Sequence, residues 1–403
     1  MKAAPDPAEQ ALLDECSAQS LQLLHDNLGS EGFLAAAPGK QAANRGYDKI
    51  FGRDASICAI AAACCGDDVL AGGAKRSLLT LASHQAPNGQ IPKYVDPGNH
   101  SADFWYLGCI DATLWWLIAV KLVARHSGDS GFEHSLQPHI ELALHWLSCQ
   151  EHQEIFLLQQ NEASDWADIM PRSGFVLYSN ALWYYVKLLY QLPHTADTRH
   201  HFNCLFFPFS GQRPTYRRLR LLMHFVRNRA KNHALYLSFV NLSFWGEEGD
   251  IFGNLLAILF GLADEYRANC ILDTVTQAQR DAPFPVKVTC TPISRNDPYW
   301  RTYMGRHRQN MEHCYHNGGI WPFVGGFWVL ALAAAGHTRQ AHQELVKLAR
   351  ANALNHWQFN EWFHGLNHSP EGMHKQTWNA AMFLLARHGL AHKTSREIHK
   401  RAA

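Results

Sequence analysis

The segment GGIWPFVGGFWVLALAAAG, residues 318–336, contains no charged side chain and is followed by an amphipathic stretch at 338–353. In that second stretch Ala341, Leu345 and Leu348 fall on one helical stripe, and the charged residues lie away from it. A helix that is apolar all round lies inside a core, whereas a helix with one apolar stripe lies at the edge of a core. The two segments therefore predict an inner and an outer helix packed side by side.

Segment 318–336 is also long enough to be considered as a membrane span. However, it contains one Pro and five Gly, and the flanking residues His316, Asn317 and His337 show no bias towards Lys or Arg. No second span accompanies it. We therefore predict a buried helix.

The same helical periodicity recurs along the chain and predicts about twelve helices. The helix at 109–126 is apolar nearly all round, as expected of an inner helix. Strand signals are weak and are confined to short pieces near 91–95 and 286–290. The predicted helices lie at 8–27, 53–65, 68–84, 109–126, 132–150, 177–192, 215–232, 251–265, 267–279, 320–336, 338–353 and 375–389.

Pairs of apolar and amphipathic helices predict an all-α fold, a closed (α/α)6 barrel of about twelve helices. No linker rich in Pro, Gly or Ser divides the chain, so we predict a single domain over residues 1–403. A tandem of three-helix bundles and an α-solenoid are the competing layouts. The lack of a sequence repeat argues weakly against the solenoid.

Charge is balanced over the chain, since 36 Lys and Arg face 35 Asp and Glu, for a net charge of +1. This balance lacks the basic footprint that phosphate backbones require, so we expect no nucleic-acid partner. We also expect no membrane partner, and the crowded apolar helices leave a homo-oligomer open. One local departure is the basic run Arg213–Lys231, which predicts a solvated helix face or an anion site.

The ten cysteines are scattered, with no C-x-x-C pair and no paired Cys/His spacing. This distribution predicts reduced thiols, a cytoplasmic location and no metal site. The N-terminus carries Pro and acidic residues where a signal peptide requires an apolar core. No dinucleotide fingerprint, Walker loop, H-E-x-x-H or G-x-S-x-G motif is found, so we expect no cofactor.

Four long loops, 46–56, 83–116, 164–184 and 315–321, combine aromatic side chains with Asn, Gln, Asp and His. Such a mixture favours a small carbohydrate, because sugar C–H faces stack on aromatic rings and sugar hydroxyls need polar partners. Each Trp taken alone is more typical of a core. The loops therefore predict a sugar site only in combination.

Two carboxylates stand out as candidates for catalysis. Asp111 begins an apolar helix and is followed by Trp115 and Trp116, a dry setting that would raise the pKa of a carboxyl; a plain N-cap is the alternative. Glu361 lies in the aromatic segment QFNEWFHG, where a general base is a sensible use of an acid. In a glycosidase, one carboxyl protonates the leaving oxygen and the other activates water.

Other acidic residues indicate supporting roles. Asp54 beside Arg53 indicates an ion pair or a clamp on a sugar hydroxyl. Asp165 and Asp168, near Arg172, indicate contacts to sugar hydroxyls or a local network of salt bridges. Both interpretations stay open at this stage.

The chain resembles the neutral/alkaline invertases and, nearly as closely, the amylo-α-1,6-glucosidase domain of glycogen debranching enzymes, from about Tyr47 to Ala386. The resemblance rests on motifs in the same order along the chain. They are YDKIFGRDAS (47–56), IDATLWW (110–116), WADIMPRSG (166–174), NALWY (180–184), GDIFGNLLAIL (249–259), PVKVTC (285–290), YHNGGIWP (315–322), FNEWFHG (359–365) and KQTWNAA (375–381).

The resemblance implies an inverting glycoside hydrolase on an (α/α)6 barrel, with Asp111 as the general acid and Glu361 as the base. It implies sucrose as the first substrate, and an α-1,6-glucoside or a glucosylglycerate as alternatives. Two departures are that no Arg closely precedes Asp111 and that His364 stands where invertases tend to have Asp. The predicted sugar contacts are Arg53, Asp54, Trp115, Trp166, Asp168, Arg172, His316, Asn317, Trp321, Gln376 and Trp378.

Two other classes of protein stay open. A sugar isomerase or epimerase uses similar helical barrels, and the 25 His of this chain are compatible with proton shuttling. A non-catalytic carbohydrate-binding protein would share the aromatic loops. Replacement of Asp111 by Asn should leave turnover largely intact in an isomerase, and detectable hydrolysis would exclude a pure binding protein.

Overall fold

Helices dominate the computed structural model, which describes residues 6–105, 109–231, 233–242 and 244–392. A 3-10 segment, Thr302–Arg308, lies between α12 and α13. The α-helices are α1 (Pro7–Asp26), α2 (Lys40–Arg45), α3 (Gly52–Cys64), α4 (Asp68–Ser83), α5 (Ile110–Ser127), α6 (Ser130–Ser135), α7 (Gln137–Ser148), α8 (Leu177–Leu189), α9 (Thr195–Phe206), α10 (Arg217–Arg229), α11 (Ile251–Leu259), α12 (Glu265–Ala278), α13 (Pro322–Ala334), α14 (Thr338–Trp357) and α15 (Thr377–His392).

Six of these helices form a closed inner ring. In order around the ring, α3, α5, α8, α11, α13 and α15 each pack against the next, and α15 returns to pack against α3. These helices are apolar nearly all round, so burial on every side removes the most apolar surface from water. In α11, for example, every residue from Ile251 to Leu259 is buried.

A second ring of helices surrounds the first. It consists of α1, α4, α7, α9, α12 and α14, each packed on one or two inner helices. In α14 the predicted stripe of Ala341, Leu345 and Leu348 is buried, and the charged side is not. The two concentric rings confirm the predicted (α/α)6 barrel.

The observed helices differ from the predicted ones between residues 130 and 230. Helix α9 was not predicted, although it is an outer-ring helix, and the predicted helix at 215–232 is α10, which packs on α9 and stands outside the two rings. The predicted helix at 132–150 is divided into α6 and α7 at Leu136. Leu354 leaves helical backbone angles, close to the predicted end at 353.

In the described part of the chain, nine short strands form three small antiparallel sheets. Two of these strands lead directly into an inner helix, β1 into α3 and β5 into α8. The first sheet has the order β1 (Ile50–Phe51), β2 (Tyr94–Asp96), β3 (Ser101–Asp103); the second has the order β4 (Gln159–Gln160), β5 (Gly174–Val176), β6 (Phe239–Asn241), β7 (Phe244–Trp245); the third pairs β8 (Trp362–Phe363) with β9 (Pro370–Glu371).

The strand predictions are confirmed in part. In the first sheet Val95 pairs with Ile50 on one side and Ala102 on the other, which agrees with the signal near 91–95. Near 286–290 there is no strand, and Lys287 and Thr289 form only isolated bridges.

The apolar segment 318–336 forms α13, thirteen residues long, and is buried in the inner ring as predicted. Such a helix is about 20 Å long, shorter than the ~30 Å hydrocarbon core of a bilayer. In the described parts of the chain, every helix is too short or too polar to cross a membrane. All ten cysteines lie in these parts and are free thiols, while the cytoplasmic location stays a prediction.

Candidate active site

The polar motifs of the sequence meet at one end of the barrel, where the inner helices begin. Arg53 and Asp54 lie in the first turn of α3, Trp321 immediately precedes α13, and Trp378 lies in the first turn of α15. Helix N-termini carry partial positive charge, which favours carboxylates and other electron-rich groups there. The same end of all six inner helices therefore provides a natural setting for acidic chemistry.

A cavity of about 310 Å³ opens at this end. Its wall combines aromatic rings with both signs of charge, a composition that matches a polyhydroxylated ligand better than an apolar one. The lining residues are Arg45, Gly46, Tyr47, Lys49, Phe51, Arg53, Asp54, Lys93, Tyr94, Trp166, Asp168, Gln309, Tyr315, His316, Trp321, Glu361 and Trp378.

Glu361 is the most firmly oriented carboxylate of the cavity. The Tyr47 hydroxyl donates to its Oε1 at 2.6 Å, and the backbone N–H of Met373 donates to its Oε2 at 2.7 Å. Burial raises the pKa of Glu361 to about 7, although both hydrogen bonds act in the opposite direction. Gly372 has φ +79°, and a Cβ there would lie 2.3 Å from Glu361 Oε2, so the backbone itself encloses this carboxylate.

Asp168 is the accessible carboxylate of the cavity, with 29% of its side chain exposed. Lys93 Nζ lies 3.7 Å from its Oδ1. The backbone around it is fixed by two hydrogen bonds, because its N–H donates to the Trp166 carbonyl at 3.0 Å and its carbonyl accepts from Asn310 Nδ2 at 2.9 Å. Asp168 is therefore held by its backbone while its carboxyl group stays reachable from the cavity.

Asp54 is the third carboxylate in the cavity wall. Its Oδ1 lies 3.3 Å from Arg53 Nε. Burial raises the pKa of Asp54 to about 6, the Arg53 charge opposes that rise, and the carboxylates of Asp111 and Asp168 add to it. The cavity thus gathers three acids close enough to influence one another.

Asp111 lies behind the cavity wall. It is completely buried, and its Oδ2 accepts from Arg53 Nη1 at 3.1 Å and from the Tyr178 hydroxyl at 3.1 Å. Its Oδ1 accepts from the Cys109 thiol at 3.1 Å. With these partners Asp111 holds Arg53 in place, and it does not face the cavity. Asp111 therefore lies outside the cavity wall, and its role as the general acid stays a prediction.

Of the thirteen predicted site residues, eight line the cavity and five do not. Those in the wall are Arg53, Asp54, Trp166, Asp168, His316, Trp321, Glu361 and Trp378. Those outside it are Asp111, Trp115, Arg172, Asn317 and Gln376.

The residues outside the wall have structural partners that explain their position. Trp115 donates from Nε1 to the Tyr178 hydroxyl at 2.7 Å. Arg172 forms salt bridges with Glu248 at 3.5 Å and Asp250 at 3.3 Å, and not with the predicted partners Asp165 and Asp168.

The last two are also fully buried. Asn317 donates from Nδ2 to the Ile293 carbonyl at 2.8 Å and accepts from the Ile293 N–H at 2.7 Å, so it joins two loops. Gln376 directly precedes α15, and its side-chain amide has no hydrogen-bond partner among the described residues.

Several residues of the wall were missed by sequence reasoning. Tyr47 and Tyr315 lie in the motifs YDKIFGRDAS and YHNGGIWP, and these motifs were an available signal for both. Lys93 and Tyr94 lie inside the loop 83–116, and nothing in their local sequence marks them. Their place in the wall follows from strand β2, which pairs with β1 just before α3.

Unpartnered polar atoms concentrate around the cavity. Trp166 Nε1, Trp378 Nε1 and both ring nitrogens of His316 are buried without a hydrogen-bond partner among the described residues. Burial lowers the pKa of His316 well below its usual range, and the charges of Arg172, Arg53 and Lys93 lower it further. The imidazole is therefore neutral and can both donate and accept, as a sugar hydroxyl requires.

Comparison with known proteins finds similarity to invertases in part of the sequence and to glycosidases in the fold. A family model described as alkaline and neutral invertase matches residues 250–393. Alkaline/neutral invertase C, mitochondrial, of Arabidopsis thaliana is 29% identical over 143 residues, which are 34% of this chain and 20% of that protein. Neutral/alkaline invertase 1, mitochondrial, of Oryza sativa is 28% identical over 135 residues, which are 33% of this chain and 21% of that protein.

Solved structures match over nearly the whole chain. A mannosylglycerate hydrolase of glycoside hydrolase family 63 from Thermus thermophilus, in complex with Tris and D-glycerate, has a TM-score of 0.66 at 12% identity, covering 92% of this chain and 99% of that one. A glycosidase variant in complex with glucose has a TM-score of 0.63 at 16% identity, covering 96% and 99%. These matches show the fold, and the invertase resemblance is confirmed in the C-terminal part of the chain.

Proposed function

We propose that this chain is an inverting glycoside hydrolase that acts on a small α-glucoside, with Asp168 as the general acid and Glu361 as the general base. One observation carries the proposal. Asp168 and Glu361 share the wall of an aromatic cavity at the N-terminal ends of the inner helices. In such an enzyme one carboxyl protonates the leaving oxygen, and the other deprotonates the water that attacks the opposite face of the sugar.

Glu361 has the properties of the base. A general base needs a fixed orientation and a pKa near the working pH. The Tyr47 hydroxyl and the Met373 N–H fix both oxygens of Glu361, and burial raises its pKa to about 7. Above that pH the carboxylate is ionised and can accept a proton from water.

Asp168 replaces Asp111 as the acid in this proposal. The acid must reach the glycosidic oxygen, and Asp168 is the more exposed of the two, since Asp111 is enclosed by Arg53, Tyr178 and Cys109. Asp111 then acts as a positioning residue, because it holds the guanidinium of Arg53 beside Asp54.

The remaining wall supports binding of the glucosyl ring. Asp54 and the neutral imidazole of His316 offer polar atoms to hydroxyl groups, and the ring of Trp378 lies 5.6 Å from the Arg53 guanidinium. Aromatic faces beside such groups are typical of sugar sites. None of these contacts requires a cofactor.

Sucrose is the first substrate of the proposal, because the stretch matching the invertases contains the base, His316 and Trp321. A second candidate is an α-glucoside with an anionic aglycone, such as a glucosylglycerate. The cations Arg45, Lys49 and Lys93 in the wall favour it, and a structural neighbour was solved with D-glycerate. An α-1,6-glucoside stays a third candidate without a specific observation in its favour.

The acid assignment is tested with two substrates that differ in their need for protonation. Sucrose or a glucosylglycerate needs an acid at the leaving oxygen, whereas fluoride leaves α-D-glucosyl fluoride with little help. Asp168→Asn should abolish cleavage of the natural type of substrate and keep fluoride release within about tenfold of the wild type. Glu361→Gln should lose both activities.

The same pair of substrates distinguishes the alternatives. If Asp111→Asn, and not Asp168→Asn, loses cleavage of the natural type of substrate and keeps release of fluoride, the general acid is Asp111. Formation of an isomer without hydrolysis would identify an isomerase. Calorimetric binding of sugars without any turnover would identify a binding protein.

A further inference from the structure

Helix α10 is an element that the barrel does not need. It lies outside both rings and packs on α9, which is itself an outer helix. Only Leu219, Met223 and Val226 of α10 are buried. The rest of the helix faces away from the barrel, so its outward composition is not explained by packing.

The charge of this region is concentrated to an unusual degree. Residues 213–231 contain seven Lys and Arg and no Asp or Glu, although the whole chain has a net charge of only +1. The remaining chain therefore carries 29 Lys and Arg against 35 Asp and Glu, a net charge of −6. The net charge of the whole chain is close to zero, so it gives no sign of this local excess of positive charge.

These seven cations are available to a partner. All of them are exposed, and among the described residues none forms an ion pair with a carboxylate. Arg220 and Arg227 donate to backbone carbonyls of Pro214 and Pro208, contacts that leave their charge uncompensated. Like charges at this density repel one another unless an anionic surface lies against them.

Apolar side chains project from the same outward face. Leu221 and Phe225, one turn apart, are 54% and 42% exposed. Arg217 and Arg218 precede Leu221 by four and three positions, and Arg229 follows Phe225 by four. Residues at these spacings lie on the same face of a helix, so the three arginines lie next to the apolar pair. The outward face is thus an apolar pair with cations on either side.

We propose that this face of α10 binds an anionic membrane surface from one side, without crossing it. The arginines would bind phosphate and carboxylate headgroups, and Leu221 and Phe225 would insert at the boundary of the acyl chains. A nucleic acid would also attract the cations, but an aliphatic side chain such as Leu221 has no base-stacking role between them. The expectation of no membrane partner is replaced by this proposal of peripheral binding.

The test is co-sedimentation of the full chain with vesicles. One set is pure phosphatidylcholine and the other contains about 30% phosphatidylserine. We expect binding to the anionic vesicles only, and its loss at about 1 M salt, where the Debye length falls to about 3 Å. Equal binding to both sets, or binding to neither, would overturn the proposal.

Three variants assign the binding to this face. The triple variant Arg217→Gln, Arg218→Gln, Arg229→Gln should weaken vesicle binding about a hundredfold, at about fivefold per cation. The double variant Leu221→Ser, Phe225→Ser should weaken it on the order of tenfold. The matched control Arg280→Gln, Arg339→Gln, Arg350→Gln removes the same charge from α14 and the end of α12, and should bind as the wild type does.

Unchanged melting curves would show that the variants keep the fold, and the assay is independent of any hydrolytic activity. An equal loss in the control variant would reduce the effect to net charge and overturn the assignment to α10. Unchanged binding of the serine variant would contradict the insertion of the apolar pair. Tight binding to a DNA oligonucleotide, with no binding to vesicles, would identify a nucleic-acid surface instead.

Discussion

The two ends of the inner ring are built from the same six helices and differ completely in composition. At the N-terminal ends lies the cavity of about 310 Å³ that contains Asp54, Asp168 and Glu361. At the C-terminal ends lies a smaller cavity of about 110 Å³. Its wall is almost entirely apolar and consists of Ile57, Ile60, Cys64, Trp115, Ile118, Leu122, His126, Tyr185, Leu259, Phe260, Phe327, Leu330, Met382, Leu385, His388 and Gly389.

Helix α3 shows the contrast within a single element. Its first turn carries Arg53 and Asp54, and its next turns carry Ile57 and Ile60. The first turn of a helix has free N–H groups and a favourable dipole for acids, and it is joined to a loop that leaves room for a ligand. The polar residues of the site therefore lie at the starts of the inner helices, whereas the later turns of these helices serve packing.

The largest expected effect comes from the carboxylates of the polar end. Asp168→Asn and Glu361→Gln should each lower kcat by about a hundred- to ten-thousand-fold, because each removes one proton-transfer group. Steady-state rates on the best substrate measure this. Asp273→Asn, an exposed acid on α12, is the matched control and should keep the wild-type rate; kcat values near wild type in Asp168→Asn would remove Asp168 from the mechanism.

Asp111→Asn tests whether the buried acid behind the polar end is structural. Among the described residues, the substitution leaves Arg53 with Asp54 as its one ionic partner, which should lower the free energy of unfolding by about 3 kcal/mol. The kcat should fall far less than in Asp168→Asn. Denaturant unfolding and rates on folded protein separate the two effects, and a loss of kcat as large as that of Asp168→Asn at unchanged stability would contradict the assignment.

Ile60→Ala tests the apolar end. It removes a buried side chain from the wall of the smaller cavity and should lower the free energy of unfolding by about 2 kcal/mol. Because Ile60 lies about two helical turns after Asp54 on α3, kcat of the folded enzyme should stay unchanged. A large change in kcat without a change in stability would mean that the two ends are not functionally separate.

The smallest expected effect concerns pH. Glu361 must be ionised to act as a base, so kcat/KM should fall as the pH drops below about 7. The Tyr47 hydroxyl stabilises the ionised carboxylate and lowers its pKa. Tyr47→Phe should therefore move the acidic limb of the pH profile upwards by up to about one unit; a downward shift would show that Tyr47 does not act on Glu361 in this way.

Periodicity was sufficient to predict most of the fold because the inner helices are apolar on every side. Helix α9 was not predicted because polar side chains on its buried face bond to backbone carbonyls more than forty positions earlier in the chain. The Thr198 hydroxyl donates to the Phe156 carbonyl, and a ring nitrogen of His201 lies 2.9 Å from the Ile155 carbonyl oxygen. Such residues resemble a solvated segment when only their composition is known.

Half of the predicted wall residues, Glu361 among them, lie in loop segments with aromatic neighbours, and the other half lie at the starts of helices. Arg53, Asp54 and Asp111 lie at the starts of predicted helices, but sequence does not tell whether a first-turn side chain faces the cavity or an arginine on the next helix. Tyr47 lies 314 positions from Glu361, and only the closed ring brings the two together. The sequence therefore does not predict the orientation of these side chains or the contacts between residues far apart in the chain.

The most direct test of the polar end as an inverting active site is the anomeric form of the first product. Proton NMR during the first minutes of hydrolysis of α-D-glucosyl fluoride requires no knowledge of the natural aglycone. Attack of a water activated by Glu361 on the face opposite the leaving group predicts β-glucose as the initial product. Initial α-glucose would mean retention of configuration and would contradict the assignment of Glu361 as a base that acts through water.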